Sequence, residues 1–130
     1  MIRTFKDLIV YQKAFEQAME IFEITKGFPK IEQYSMTDQI RRSSRSVCVN
    51  IGEAWRRRMY PAHFVSKLTD ADAEATETII WLDFSLECEY LGPVVHKEIF
   101  AGYEEIGKML GSMITSPEKF CYDYVFKKTR

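Results

Sequence analysis

Apolar residues recur along this chain at steps of three and four, the period of helices that bury one side. Leu8, Tyr11, Phe15, Ala18 and Phe22 make a first seam, and Val10, Ala14 and Ile21 broaden it. Glu16, Glu20 and Glu23 occupy other faces. Asp7 is the expected N-cap. Lys26-Gly27 is the expected stop, with Gly27 in the left-handed conformation just past the last turn. Phe28-Pro29 reinforces that stop, since a residue before proline disfavours helix.

Residues 28–36 read as a short connection. Ser35 or Thr37 is the expected cap of a second helix, and Ser35 with Asp38 resembles a capping box. Ile40, Ser44, Val47, Ile51 and Ala54 then form a thin seam of small residues, which lets helix axes approach closely. Tyr60-Pro61 opens a third helix, with Pro61 in its first turn. Its seam is Phe64, Leu68, Ala71, Ala75, Ile79, Leu82 and Leu86, and Leu91-Gly92-Pro93 ends it. Ile99, Tyr103, Ile106, Leu110 and Met113 mark a fourth helix, stopped by Thr115-Ser116-Pro117. No strand-length alternation, repeat or low-complexity tract interrupts these residues. The expected fold is all-α, an antiparallel up-down-up-down four-helix bundle over residues 1–117. Residues 118–130 form a C-terminal tail in this reading. Its alternating aromatics Phe120, Tyr122, Tyr124 and Phe126 suit a docking extended segment, and Lys127 to Arg130 a frayed end.

Composition adds limits. With 130 residues and 46% hydrophobic content, one domain can bury a core without staples. The formal net charge of -1 gives no global attraction to nucleic acid, so any such role needs a local patch. Cys48, Cys88 and Cys121 are odd in number and lack CxxC spacing, which disfavours a disulfide framework or a zinc site. The N-terminus has no signal-peptide core, and no window reaches the roughly 20 apolar residues of a membrane span. Cytoplasm is the expected location, with no membrane partner.

Charge is uneven. The stretch from Thr37 to Arg58 holds six of the eight arginines: Arg41, Arg42, Arg45, Arg56, Arg57 and Arg58. The stretch from Asp70 to Glu105 is strongly acidic, with Lys97 its single Lys or Arg. Two readings stay open: the basic and acidic surfaces meet, within or between subunits, or the second helix offers an anion-binding patch. Asn50 and Glu53 lie three apart and share a helix face, and Glu53 precedes Arg57 by four, the favourable order for an ion pair. They read as a structural polar cluster or as part of a ligand site.

Catalytic patterns are weak. A di-iron bundle needs Glu-x-x-His, yet Tyr60 and Pro93 stand three before His63 and His96, the two histidines of the chain. Asp70-x-Asp72-x-Glu74 lacks the glycine and distal glutamate of a calcium loop. Gly107 and Gly111 fit no phosphate loop and suit close helix contact instead. Arginines near Cys48 favour a reactive thiolate, but no histidine partners it, so a small buried residue is the simpler reading. Ser43, Ser44 and Ser46 lack a triad. No enzyme, metal site or cofactor is expected.

A resemblance sharpens this picture. Phe5-Lys6-Asp7-Leu8-Ile9-Val10-Tyr11-Gln12-Lys13-Ala14 is similar to the F-x-D-L-x-V-W/Y-Q-x-A opening of the small bacterial bundle proteins encoded in intervening sequences of 23S ribosomal RNA genes. Gln39-Ile40-Arg41-Arg42-Ser43-Ser44 resembles their Q-I-R-R-A/S pattern. Asn50-Ile51-Gly52-Glu53-Ala54 stands where they usually read N-I-A-E-G. Phe64, Lys67-Leu68, Glu74, Glu77, Trp81-Leu82 and the Leu91-Gly92 turn extend the likeness across residues 5–115. Gly52 and Ala54 depart from the pattern, and Ala54 in place of glycine implies a second helix running on to Arg58. The resemblance implies a homo-oligomer, pentameric rings among them, without catalytic activity. The association with ribosomal RNA genes suggests RNA contact. A similar bundle, the accessory protein of diversity-generating retroelements, binds nucleic acid through a strongly basic surface, whereas this chain has a pI of about 6.1.

Overall fold

Prolines, small residues and one glutamate determine where the helices start and how closely they approach. The computed structural model describes residues 1–122. It contains four long helices: α1 (Ile9–Thr25), α2 (Met36–Arg56), α3 (Pro61–Glu87) and α4 (Pro93–Thr115). No strand occurs among the described residues. Tyr124, Phe126 and the basic end Lys127–Arg130 lie outside them.

Each helix packs on its neighbours in sequence, and α4 closes back on α1. Cross-helix contacts show the directions. Moving up α2 through Met36, Ser43 and Glu53, the α3 partners descend through Ser85, Thr78 and Lys67. Asp83 pairs with His96 while Asp72 lies near Gly107, so α3 and α4 also run opposite ways. Lys13 pairs with Glu105, and Gln17 lies against Gly102, on antiparallel α1 and α4. Thr25 meets Arg41 and Phe5 meets Gly52, which fixes α1 against α2. The bundle is therefore up-down-up-down, as expected.

The α4 seam is buried at Ile99, Tyr103, Ile106, Leu110 and Met113. The α2 seam is buried at Ile40, Ser44, Val47, Ile51 and Ala54, joined by Ser43, Cys48 and Trp55. In α3, Ile79 and Leu86 are only partly buried, and the polar Thr78 and Ser85 take the core positions beside them. The first seam holds at Leu8 and Ala18 and is corrected at its aromatic positions. The buried face of α1 is Val10, Ala14, Ala18, Ile21 and Thr25, whereas Phe15 is exposed and Tyr11 and Phe22 are only partly covered. Small side chains face the core, and Tyr11 and Phe22 flank α2.

Helix ends differ in detail. Asp7 does not cap α1; its carboxylate accepts the Thr4 N–H, closing a capping box on a 3-10 turn at Phe5–Asp7, and Leu8 occupies the N-cap of α1. Gly27 is not left-handed; α1 unwinds through Gly27 N–H to Ile24 O and Phe28 N–H to Thr25 O. Neither Ser35 nor Thr37 caps α2 through its side chain. Glu32 does so from outside, accepting the Met36 N–H at 3.3 Å and the Ser35 hydroxyl at 2.6 Å. The helix stops at Arg56 rather than Arg58. Past Pro117, Phe120 stacks on Phe64 and Cys121 is buried, so the core extends to residues 120 and 121. A side chain at Gly111 would meet nothing within 4 Å; the tight glycine is Gly102, whose missing Cβ leaves room for the Gln17 amide.

Glu32 also accepts the Tyr90 hydroxyl at 2.8 Å, tying the α1–α2 connection to the end of α3. Hydrogen bonds from Ser35 and then Tyr90 hold its carboxyl below the ordinary glutamate range. A depressed carboxyl adds stability above its unfolded pKa, and that stability is lost as pH falls through the folded one. Wild type should therefore lose more urea resistance than Glu32→Gln between about pH 5 and pH 3. Parallel midpoints across that range would remove Glu32 from this role.

Candidate nucleic-acid interface

The buried α2 positions lie four, three, four and three apart, so residues out of phase must face away from the core. Arg42, Arg45 and Arg56 are such residues and are exposed. Arg41 lies at the border with α1. Its Nε donates to Thr25 Oγ1 at 2.8 Å, and its guanidinium sits 4.9 Å from the Phe22 ring centre. The Thr25 hydroxyl in turn donates to Ile21 O at 2.7 Å. Phe22, displaced from the core, is the shelf on which Arg41 rests.

Arg42 meets α3. Its Nη2 lies 2.9 Å from Glu77 Oε2, which also accepts from Trp81 Nε1 at 3.3 Å. This is the expected meeting of basic and acidic helices, made within one chain. Both side chains remain well exposed, and such pairs contribute only about 0–1 kcal/mol. Arg45 is exposed, 6.0 Å from the Phe22 ring centre. Arg58 behaves differently: its guanidinium lies 3.5 Å from the Trp55 ring centre and its Nε donates to Trp55 O at 2.7 Å. It packs the end of the bundle. Arg56 and Arg57 are exposed and form no ion pair among the described residues.

The six arginines thus fall into two groups. Arg41, Arg42 and Arg45 line a groove with Tyr34 and Thr37 beside the start of α2. Arg56 borders a separate hollow over Cys48 and Gly52. About 16 Å of helix separates Arg45 from Arg56. Tyr34 was hidden in the sequence because a loop has no periodicity; its one signal is an aromatic residue in a polar connection just before the arginines.

Asn50 and Glu53 are not brought together. The Asn50 amide donates to Ser46 O at 2.9 Å, and Glu53 lies 3.6 Å from Lys67 Nζ on α3. The Glu53–Arg57 pair does not form. Arg57 is the C-cap, with φ -105° and ψ 20°, so it has left the helical path that an i,i+4 pair requires.

Ser43 and Ser44 are fully buried; the Ser43 hydroxyl meets Thr78 Oγ1 across the α2–α3 contact, and the Ser44 hydroxyl donates to Arg41 O of its own helix. His63 is exposed beside Tyr60, and His96 Nε2 lies 2.8 Å from Asp83 Oδ1. Among the described residues, no group of three His, Cys, Asp or Glu side chains could hold a metal ion. No helix among them is long and apolar enough to cross a membrane. Burial pushes the Cys48 thiol up to about 11, opposite to activation by nearby arginines. Burial also raises Cys121, while Cys88 is exposed. A thiol reagent at pH 8 should label one cysteine fast, and Cys88→Ser should remove that fast phase. A fast phase that survives in Cys88→Ser and disappears on adding Cys48→Ser would show that the hollow beside Arg56 exposes Cys48.

Comparison with known proteins places this geometry. Residues 6–112 match the model of the 23S rRNA-intervening sequence protein family. A crystal structure of a protein of unknown function from the S23 ribosomal protein family of Bacteroides thetaiotaomicron is 34% identical, with a TM-score of 0.75. The match covers 82% of this chain and 98% of that one. No curated protein matches the sequence.

Proposed function

This chain belongs to the family of 23S rRNA-intervening sequence proteins, and on that premise we propose a non-enzymatic, self-assembling helical bundle whose second helix contacts RNA or DNA. The observation that carries this reading is the outer face of α2. Arg45 and Arg56 are exposed there, Arg57 is exposed just past the helix end, and none of the three has an ion-pair partner among the described residues, so their charge remains available to phosphate. Arg41 and Arg42 add to that face, while Arg58 is occupied against Trp55. Self-assembly, with a pentamer as the resemblance implies, is supported by apolar side chains left bare on the helices. Phe15 and Met19 on α1, and Ile80 and Phe84 on α3, are each about half exposed. Three free cysteines suit the cytoplasm as its location. The non-enzymatic reading rests on the roles already occupied by the candidate nucleophiles: buried Ser43 and Ser44 bond within the bundle, and Cys48 is held protonated.

A second reading, a protein-interaction scaffold without nucleic acid, has the basic α2 meeting the acidic α3 of a neighbouring subunit, the kind of pair that Arg42–Glu77 makes inside one chain. Fluorescence anisotropy against RNA and DNA oligonucleotides separates the two. Binding should fall steeply as salt rises, and Arg45→Glu, Arg56→Glu and Arg57→Glu together should weaken it at least about tenfold and flatten the salt slope. Unchanged affinity in the triple variant, with altered assembly mass in light scattering, would support the scaffold and overturn the nucleic-acid reading.

A further inference from the structure

We propose that the groove beside the N-terminal half of α2 takes single-stranded nucleic acid, with one base stacked on Tyr34 and the adjoining phosphate held by Arg41, Arg42 and Arg45. This inference rests on the nucleic-acid reading above and specifies its ligand and its site.

The ring is the first observation. Tyr34 is 88% exposed, far more than most aromatic residues among the described residues. Its backbone is nevertheless held. It lies between the 3-10 turn Lys30–Glu32 and the start of α2, and the Ser35 N–H donates to Glu32 O at 3.0 Å. Glu32 is itself tied to Ser35, Met36 and Tyr90. A bare aromatic face on a held turn suits a flat ligand, because little ordering remains to be done on binding.

The guanidinium groups are the second. Arg41, Arg42 and Arg45 follow within about one helical turn and line the same groove as Tyr34. Thr25 orients Arg41, and Gln39 and Glu77 orient Arg42. Each guanidinium carries five N–H donors, so these contacts leave others for phosphate oxygens. Arg45 has no ion-pair partner among the described residues.

The combination selects the strand state. Phosphate contact alone does not distinguish duplex from single strand. Asp38 also lines the groove and lowers its net positive charge, which weakens a contact made by charge alone. A stacking contact needs a base face that duplex stacking hides, and an unpaired base offers it. The arginines from Arg41 to Arg56 span about 22 Å of helix, which suits a strand of several nucleotides.

The test uses the full chain and labelled oligonucleotides of about ten nucleotides: single-stranded RNA, single-stranded DNA of the same sequence, and duplex RNA. At least one single strand should bind about tenfold or more tightly than the duplex. Tyr34→Ala should weaken that binding about tenfold and leave duplex binding unchanged, while Tyr34→Trp should preserve it. Arg45→Glu should weaken both. Tyr34 is exposed, and circular dichroism melting checks that its variants remain folded. Equal affinity for duplex and single strand, or an affinity indifferent to Tyr34→Ala, overturns this inference and leaves the reading above standing. Absence of binding to any of the three overturns both. Loss of assembly mass in Tyr34→Ala without loss of nucleic-acid affinity would assign the ring to a protein contact and contradict the proposal.

Discussion

The arrangement depends on the close contact between α2 and α3. Ser43 and Thr78 face each other there with their hydroxyl oxygens 2.8 Å apart, both fully buried. A buried hydroxyl is tolerable only when bonded, and with one proton each the two shorter contacts satisfy both: Ser43 donates to Thr78 Oγ1, and Thr78 donates to Glu74 O at 2.9 Å. Ala54, Ala71 and Ala75 keep both inner faces thin. Shorter side chains draw the axes together, and the pairs Met36–Ser85 and Glu53–Lys67 keep the same register toward the two ends. Once that face of α2 is committed, the arginines have only the opposite face and its borders. The basic surface is thus a consequence of the packing, and the functional proposals stand on it.

Bulk is supplied elsewhere. Phe64 and Leu68 at the start of α3, with Tyr103, Ile106 and Leu110 of α4, are fully or almost fully buried and fill the volume that small α2 residues leave. Gly102 lets α4 approach the Gln17 side chain of α1. At the far end of α2, Arg58 lies over Trp55, and Phe120 over Phe64, so the residues after Pro117 close the bundle instead of leaving it.

The fourth helix was legible at every seam position because its apolar residues fit one helical face and its polar residues do not compete for it. The second was legible because its arginines could not be core. The first was legible at Leu8 and Ala18 but not at its aromatic positions, for a physical reason. Tyr11, Phe15, Ala18 and Phe22 fit the period as well as Val10, Ala14, Ala18 and Ile21 do, and hydrophobicity favours the aromatic set. Packing chose the smaller set, leaving Phe22 as a shelf for Arg41. Helical spacing offers Arg57 as the partner of Glu53, yet the helix ends one residue too soon, and Lys67 on α3 takes its place. The groove was half legible: its arginines stand out in the sequence, while Tyr34 and the Glu32 anchor require the fold to bring them beside α2.

A double-mutant cycle on Ser43→Ala and Thr78→Ala, read by urea unfolding, tests the central claim most directly. If the α2–α3 contact depends on that hydroxyl pair, the two changes should couple by about 0.5–3 kcal/mol. Additive losses, agreeing within about 0.3 kcal/mol, would contradict the account.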